Sequence, residues 1–541
     1  MNASFSPSGN WAARVSIILL ALLSHGWILI NDGRYLDATY FEYFFEAGRY
    51  DILLWNFAGV ALRPWLWLMS PLVGSSSAGW ILKLVEVLSL MTIGLIVHDG
   101  ARRYAHLLPN EALGLAAITI TFPVYASAVM SNTVIYFFPT ALFFSGWHIL
   151  IGSSMGPARA PWRYSTSLFM ITLSFLHNSL LVFHYAFVVL LFTQTAHPAG
   201  VHGLRASATT FLRRHTLLIV LPPIFFFLRH LSFILNPIPP FTVHNAVSLN
   251  PLTVGKALLH LINEGVVVNL LAALGNSLFL MALIPALLVS HAIKRQTGDA
   301  EWRRTTILMG FGLLFLLAAL FPYAAAAKGV PVNSLGSRYF IQSGFGVALL
   351  LIAAIRALPD SLCEMRGTLM ATLTLAFALV GIDSYLMWQA RWAKDRATIQ
   401  ALAGMAPLAP GTVVLWDDQM RIGAEVYRSF ELSWFLQKAW VRQAWYPLYA
   451  GDRDLSYLTT DPNLHTIYRD GYLLADFVWN GCTAPLVVEA KVPRETDRQI
   501  ARHYLMARFA GGKALESYLE SLVTVTVGQS TCGLALPEKK P

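Results

Sequence analysis

Charged residues are scarce in this sequence. Only 13% are Asp, Glu, Lys or Arg, about half the share of an ordinary soluble domain, while 56% are hydrophobic and the mean hydropathy is +0.54. A chain of 541 residues with so few charges cannot cover itself with a solvated surface, so its solvent is a bilayer. Cysteine is scarce too: three residues exclude a disulfide-built scaffold and leave no ligand cluster for structural zinc or an iron–sulfur centre. The sequence has no glycine-rich phosphate loop, no tandem repeat and no low-complexity tract, which excludes P-loop nucleotide chemistry, solenoids and disorder. Its two halves carry no matching broken helices, which argues against a transporter built from inverted repeats.

The formal charge of +9 is uneven. From Gln389 to Pro541 lie 17 of the 39 basic and 16 of the 30 acidic residues, so the excess sits in the first 388. It reflects loop charges that orient a membrane protein, not a nucleic-acid surface. Apolar runs fall near Trp11–Ile30, Trp80–Val97, Ala112–Met130, Val134–Gly152, Ser167–Phe192, Thr216–Leu235, Val266–Ala292, Ile307–Ala325, Ile341–Ile355 and Thr368–Met387. The first is too long for a signal-peptide core and has no small-residue cleavage site after it, so it reads as a retained helix. With a cytoplasmic N-terminus, the cytoplasmic side holds Arg14 and the loops bearing Arg102–Arg103, Arg159 with Arg163, Arg205 with Arg213–Arg214, Lys294–Arg295 with Arg303–Arg304, and Arg356 with Arg366. That is fourteen basic residues against six in the outer loops.

This asymmetry imposes two conditions. Leu53–Val73 must lie on the outer membrane surface, as its central Arg63–Pro64 favours. Ser167–Phe192 must enter and return as a hairpin with Leu176-His177-Asn178-Ser179 at its polar tip. The expected fold is therefore an all-α polytopic membrane domain, residues 1–388, of about eleven transmembrane helices including one short hairpin, with a first outer loop over 31–79. Residues 389–541 form a C-terminal extracytoplasmic α/β domain, with strand-like runs at Thr412–Trp416, Pro485–Val492 and Ser521–Val527 and a helical pattern at Asp497–Ala510. Cys482 and Cys532 fall in that domain and can pair in an oxidising periplasm.

The densest constellation follows the first helix: Asn31-Asp32-Gly33-Arg34-Tyr35-Leu36-Asp37, then aromatics interleaved with Glu42 and Glu46. Asp32 leaves the bilayer about one residue beyond the helix end, where a carboxylate on a rigid element can serve as general base toward a water-soluble hydroxyl. The alternative is a polar helix end that anchors the helix at the interface. Glu42 and Glu46, four apart, fit a helix lying in the interface with its acids toward a cavity or toward solvent. Cations stand at other outer helix ends: Lys328, Arg229 and the pair Arg338-Tyr339. A lipid phosphate needs such cations at headgroup depth, and the guanidinium fork matches two phosphate oxygens. Snorkelling toward anionic lipids explains Lys328 and Arg229 equally well. His177 and Asn178, with Asn132, would face the same outer cavity; the role of His177 is open. Within the membrane, Lys83 and Glu86 sit three residues apart on one helix, where they could neutralise each other.

An acid directly after the first helix, an amphipathic first outer loop, a mid-chain hairpin, an Arg-Tyr pair at a late helix mouth and a C-terminal outer domain together resemble the GT-C superfamily of membrane glycosyltransferases. The Asn-Asp-Gly-Arg stretch is similar to the Asp-Asp loop of bacterial glucosyltransferases that modify O-antigen. Arg338-Tyr339 resembles the Arg-Tyr element of lipid A aminoarabinose transferases and protein mannosyltransferases, although the hairpin tip lacks their Lys-Gly-Pro element.

What the resemblance implies is an enzyme of a bacterial inner membrane that moves a sugar from a polyprenyl-phosphate carrier to an extracytoplasmic glycan or glycolipid. Asp32 would be the base, with Asp37 the second acid. Arg338, Tyr339, Lys328 and Arg229 would bind the donor phosphate, and Arg34, Glu42, Arg63, His177 and Asn178 would line the acceptor cavity. No cofactor is required. Asn31 stands where those glucosyltransferases carry the first acid, which argues against a divalent metal held by two carboxylates unless Asp37 substitutes. The competing readings are an O-antigen polymerase or ligase and, from another class, a transporter or envelope-complex scaffold.

Overall fold

The computed structural model describes residues 7–35, 38–39, 42, 79–130, 133–155, 161–195, 200–235, 247–248, 250–275, 302–326, 328, 335–358, 365–423, 427–440, 445–449, 480–491 and 495–532. Among them seven helices are long and apolar enough to cross a membrane: Trp11–Ile30, Gly79–Arg103, Val134–Ser153, Ala206–Leu228, Pro251–Gly275, Arg304–Ala325 and Met365–Ala403. Leu180–Thr195 and Ser343–Arg356 are shorter apolar helices. The chain is thus mostly helical, with a small sheet near its C-terminal end.

Two expectations are corrected. Ala112–Met130 is not one helix: it is helical over Pro109–Thr121 and then breaks, with a 3-10 turn at Ala126–Val129. Pro123 is the cause, because its ring disfavours the α conformation at Phe122, which is extended (ψ 129°). The segment expected from Val266 begins earlier, at Pro251, where Asn250 caps the helix by accepting from the Leu252 N–H at 3.0 Å. Lys83 and Glu86 turn to different partners, described with the site below. The Leu53–Val73 run and residues 276–292 lie outside the described residues.

The run over Ser167–Phe192 divides into helices Pro161–Ser174 and Leu180–Thr195 around a turn at residues 175–179. One level of the Val134–Met155 helix meets both limbs. A Cβ on Gly146 would stand 2.8 Å from Ile171, and the neighbouring Trp147 stacks on Phe187 at 5.2 Å. Phe143, Phe183, Phe187, Phe315 and Phe345 continue this aromatic packing across four helices. In lipid such contacts and close backbone approaches hold helices together. At Gly346 a Cβ would sit 2.6 Å from the backbone nitrogen of Leu316, so only glycine lets these two helices approach as they do.

The helix Met365–Ala403 runs unbroken through Gln389 into the C-terminal region. There the sheet has the order β2-β1-β3-β4: β1 (Val413–Asp418) pairs in parallel with β2 (Tyr446–Tyr449) and β3 (Cys482–Ala490), while β4 (Val523–Val527) and β5 (Thr531–Cys532) pair antiparallel with β3. Cys482 and Cys532 face each other in that last pair and are joined by a disulfide. Buried charges fasten this unit to the long helix. Lys394 Nζ lies 2.5 Å from Asp418, Arg391 lies 3.0 Å from Glu431 of the Ser429–Trp440 helix, and Tyr427 donates to Asp395. Each pair carries a desolvation cost, which the crossed contacts offset by leaving few of these charged atoms without a neighbour of opposite sign.

Candidate functional site

The site begins with the turn after the first span. Asn31, 4% exposed, accepts the Gly33 N–H on Oδ1 at 2.8 Å, and the Tyr35 hydroxyl oxygen lies 3.1 Å from the same Oδ1. Tyr35 donates to the Trp388 carbonyl at 2.7 Å, which ties the turn to the long C-terminal helix. Glycine is needed at position 33 because a Cβ there would lie 1.9 Å from the Tyr35 hydroxyl oxygen. Asn31 is therefore the residue that shapes the turn, and a neutral amide is cheaper to bury there than a carboxylate. Lys83 Nζ donates to the Asn31 carbonyl at 2.6 Å, whereas Glu86 accepts from Thr133 at 2.7 Å. The two intramembrane groups thus brace two different loops by hydrogen bonds, while the charge of each still acts on the other along the helix.

The turn presents the Asp32 carboxylate to residues from the far end of the chain. Oδ1 lies 3.2 Å from Arg508 and 3.3 Å from the Gln389 amide nitrogen; Oδ2 accepts the Tyr504 hydroxyl at 2.8 Å and lies 3.5 Å from Arg396. Arg508 also donates to the Ile30 carbonyl at 2.6 Å, so it grips the open end of the first span. Burial, and then the Asp32 charge beside it, push the Tyr504 phenol well above its usual range, so it keeps its proton and donates. Two guanidiniums already occupy the carboxylate. A divalent cation at Asp32 would have to displace them. Among the described residues no three His, Cys, Asp or Glu side chains come together.

Arg34 and Glu42 pair at 3.5 Å, and Lys438 reaches the other Glu42 oxygen at 3.2 Å. Glu42 is buried, at 6% exposure. Asp37 and Arg63 lie outside the described residues, as do Asn132, Glu46 and the Arg229 side chain.

A second polar cluster forms at the turn between the two short helices. The His177 ring nitrogen Nε2 lies 3.0 Å from the Tyr323 hydroxyl and 2.9 Å from Ser179, the Gln342 amide nitrogen is 3.1 Å from Nδ1, and Tyr136 meets the ring edge-on. Arg338 stands against Tyr136 at 5.7 Å and against Tyr339 at 5.0 Å, and donates to the Tyr339 hydroxyl at 3.1 Å. His177 and Arg338 are thus brought into one aromatic enclosure. Asn178, beside His177 in the turn, is exposed. Lys328 is half-buried, and its backbone N–H donates to the Tyr323 carbonyl at 2.9 Å.

The two clusters are joined through buried contacts. From Asn31 and Lys83 the connection runs one turn along the helix to Glu86, across to Thr133 and on to the Ser127 carbonyl; the Ser127 N–H then donates to Ser337, next to Arg338, at 2.7 Å. Sequence reasoning missed Gln389, Arg396, Tyr504 and Arg508. A faint signal was present in a helix that stays amphipathic and basic past its apolar part, and in three arginines spaced along Asp497–Ala510. Nothing local specifies that they meet Asp32.

No family model matches the chain, and no curated protein matches it. Among solved structures, the crystal structure of ArnT from Cupriavidus metallidurans bound to undecaprenyl phosphate aligns over 96% of this chain and 98% of that one, at 13% identity and a TM-score of 0.37. A likeness at that level carries no argument about activity.

Proposed function

We infer that the chain is a membrane glycosyltransferase that takes a sugar from a polyprenyl-phosphate carrier and passes it to an acceptor hydroxyl of a cell-envelope glycan or glycolipid. One observation carries this reading: a carboxylate, Asp32, is fixed at the end of the first span, a cation, Arg338, stands in an aromatic enclosure, and their chain neighbours Asn31 and Ser337 are tied to one another by buried hydrogen bonds through Lys83, Glu86, Thr133 and Ser127, with one helix turn between Lys83 and Glu86. Sugar transfer from a lipid phosphate requires those two functions. The acceptor O–H gives its proton to Asp32 as its oxygen bonds to the sugar C1; the C1–O bond to phosphate breaks, and the departing polyprenyl phosphate takes the electron pair. Arg338 offsets the charge that develops on that phosphate. The phosphate leaves readily, so the transfer needs no nucleotide.

Asp32 must exchange one partner to accept a proton. The Gln389 contact, a neutral amide at 3.3 Å, is the weakest of the four and the one an acceptor hydroxyl would replace. Arg396, Tyr504 and Arg508 then hold the carboxylate in one orientation. We place the C-terminal unit on the periplasmic side of a bacterial inner membrane, from the loop charges.

The test is a comparison of wild-type and deletion strains for polyprenyl-linked sugars and surface glycans. Loss of the protein should make one polyprenyl-phosphate sugar accumulate and remove one sugar from an envelope glycan; unchanged carrier and glycan pools would refute the reading.

A further inference from the structure

The helix Asp497–Ala510 has two faces with different duties. Ile500, Ala501 and Tyr504 are buried against the rest of the protein, and Tyr504 and Arg508 serve Asp32. On the opposite face, at helical spacing, stand Arg498, Arg502, Met506 and Phe509. The last two are 58% and 72% exposed. This face borders a groove of about 750 Å³ whose other wall is made by Trp27 and Leu386, from the first and last apolar spans.

The depth of the groove identifies its surroundings. At 1.5 Å per residue, Leu386 stands about 32 Å along its helix from Met365, which matches a hydrocarbon layer of about 30 Å. Trp27, 38% exposed, lies near the end of the first span, where an indole favours the membrane interface. The groove is therefore at the membrane interface, where acyl chains meet headgroups, and its apolar wall and its arginines stand at about the same level. Arg498 pairs with Asp383 of the last span, while Arg502 is exposed and pairs with no carboxylate among the described residues.

We propose that this groove binds an anionic phospholipid of the surrounding bilayer, its acyl chains against Trp27, Met506 and Phe509 and its phosphate at Arg502 and Arg498. Met and Phe on one side of a helix with guanidiniums beside them are the composition of an interfacial helix. A zwitterionic lipid can fill the apolar wall but brings an ammonium toward the arginines, so charge selects the anionic headgroup. The lipid site is separate from the donor phosphate site proposed at Arg338 and does not depend on sugar transfer.

The experiment uses the full chain, purified and reconstituted in phosphatidylcholine nanodiscs that carry a minor fraction of photoreactive phosphatidylglycerol or, in parallel, photoreactive phosphatidylcholine of the same chain length. Peptides spanning Asp497–Ala510 should be labelled several-fold more by phosphatidylglycerol. Arg498→Gln and Arg502→Gln should each lower that labelling roughly fivefold, the equivalent of about 1 kcal/mol per near-surface cation, while Arg502→Lys retains most of it. Phe509→Ser should weaken labelling by both lipids. Equal labelling by the two lipids, or phosphatidylglycerol labelling unchanged in the double Gln variant, would overturn the proposal. So would a helix protected from both lipids by a co-purifying protein. An intact Cys482–Cys532 disulfide and unchanged thermal unfolding confirm that each variant is folded, and the readout decides the matter whether or not the chain transfers a sugar.

Discussion

Tyr504 lies 472 positions after Asp32 in the chain, yet its hydroxyl donates to Asp32 Oδ2 at 2.8 Å. The acid that follows the first span is thus positioned by the last third of the protein. Tyr504→Phe removes this bond while Arg396 and Arg508 remain. A hydrogen bond to a charged group contributes about 1.5–3 kcal/mol, so turnover should fall roughly tenfold with little change in KM. A steady-state assay checks it; an unchanged kcat makes Tyr504 a packing residue only.

Arg508 joins Asp32 to the Ile30 carbonyl and so couples the C-terminal unit to the first span. Arg508→Met should loosen that docking and open the Asp497–Ala510 helix to protease severalfold faster. Both partners are partly exposed, so the expected loss is small, about 1 kcal/mol. Arg396→Met, at the longer 3.5 Å contact, should do less.

Gly33→Ala tests the turn itself. A methyl group would collide with the folded-back Tyr35, so Tyr35 must leave Asn31 and Trp388 and Asp32 must lose its orientation. Overpacking of this kind costs about 1–3 kcal/mol. Activity should fall with the loss of thermal stability, and Gly33→Ala combined with Tyr35→Phe should not restore it, because the ring still occupies the space.

Arg338→Lys keeps the charge and loses the fork. The expected order of donor affinity and turnover is wild type, Lys, then Ala, with Arg338→Ala binding donor on the order of ten- to a hundred-fold more weakly. Donor titration on folded variants measures this, and wild-type values for Arg338→Ala would leave Arg338 as an interface anchor.

Local features of the fold were legible in the sequence where one period dominates. The Asp497–Ala510 helix coincides with its reading because Thr496 and Gln499 form a capping box and the chain leaves the helix at Gly511, where φ is +115°. The strand runs near 412, 485 and 523 were visible from their β-branched residues, but Tyr446–Tyr449 is four residues long and Thr531–Cys532 two, too short for a period. The long run around Phe122 misled because hydrophobicity is blind to the Pro123 break. At the candidate site, the sequence singles out Asp32 and Arg338 by their chemistry at helix ends. The partners of Asp32 were not legible, because Gln389, Arg396, Tyr504 and Arg508 are more than 350 positions away and only the fold brings them to it.

The most direct test of the account is the turnover of Asp32→Asn. The amide keeps the size of the side chain and one acceptor oxygen for Tyr504, and protection of the Asp497–Ala510 helix from protease reports whether docking survives. With docking and donor binding retained, transfer from the polyprenyl-phosphate sugar should fall by at least about 100-fold, the usual scale of general-base catalysis. Transfer at the wild-type rate by that variant would contradict the account and reduce Asp32 to an anchor for the C-terminal unit.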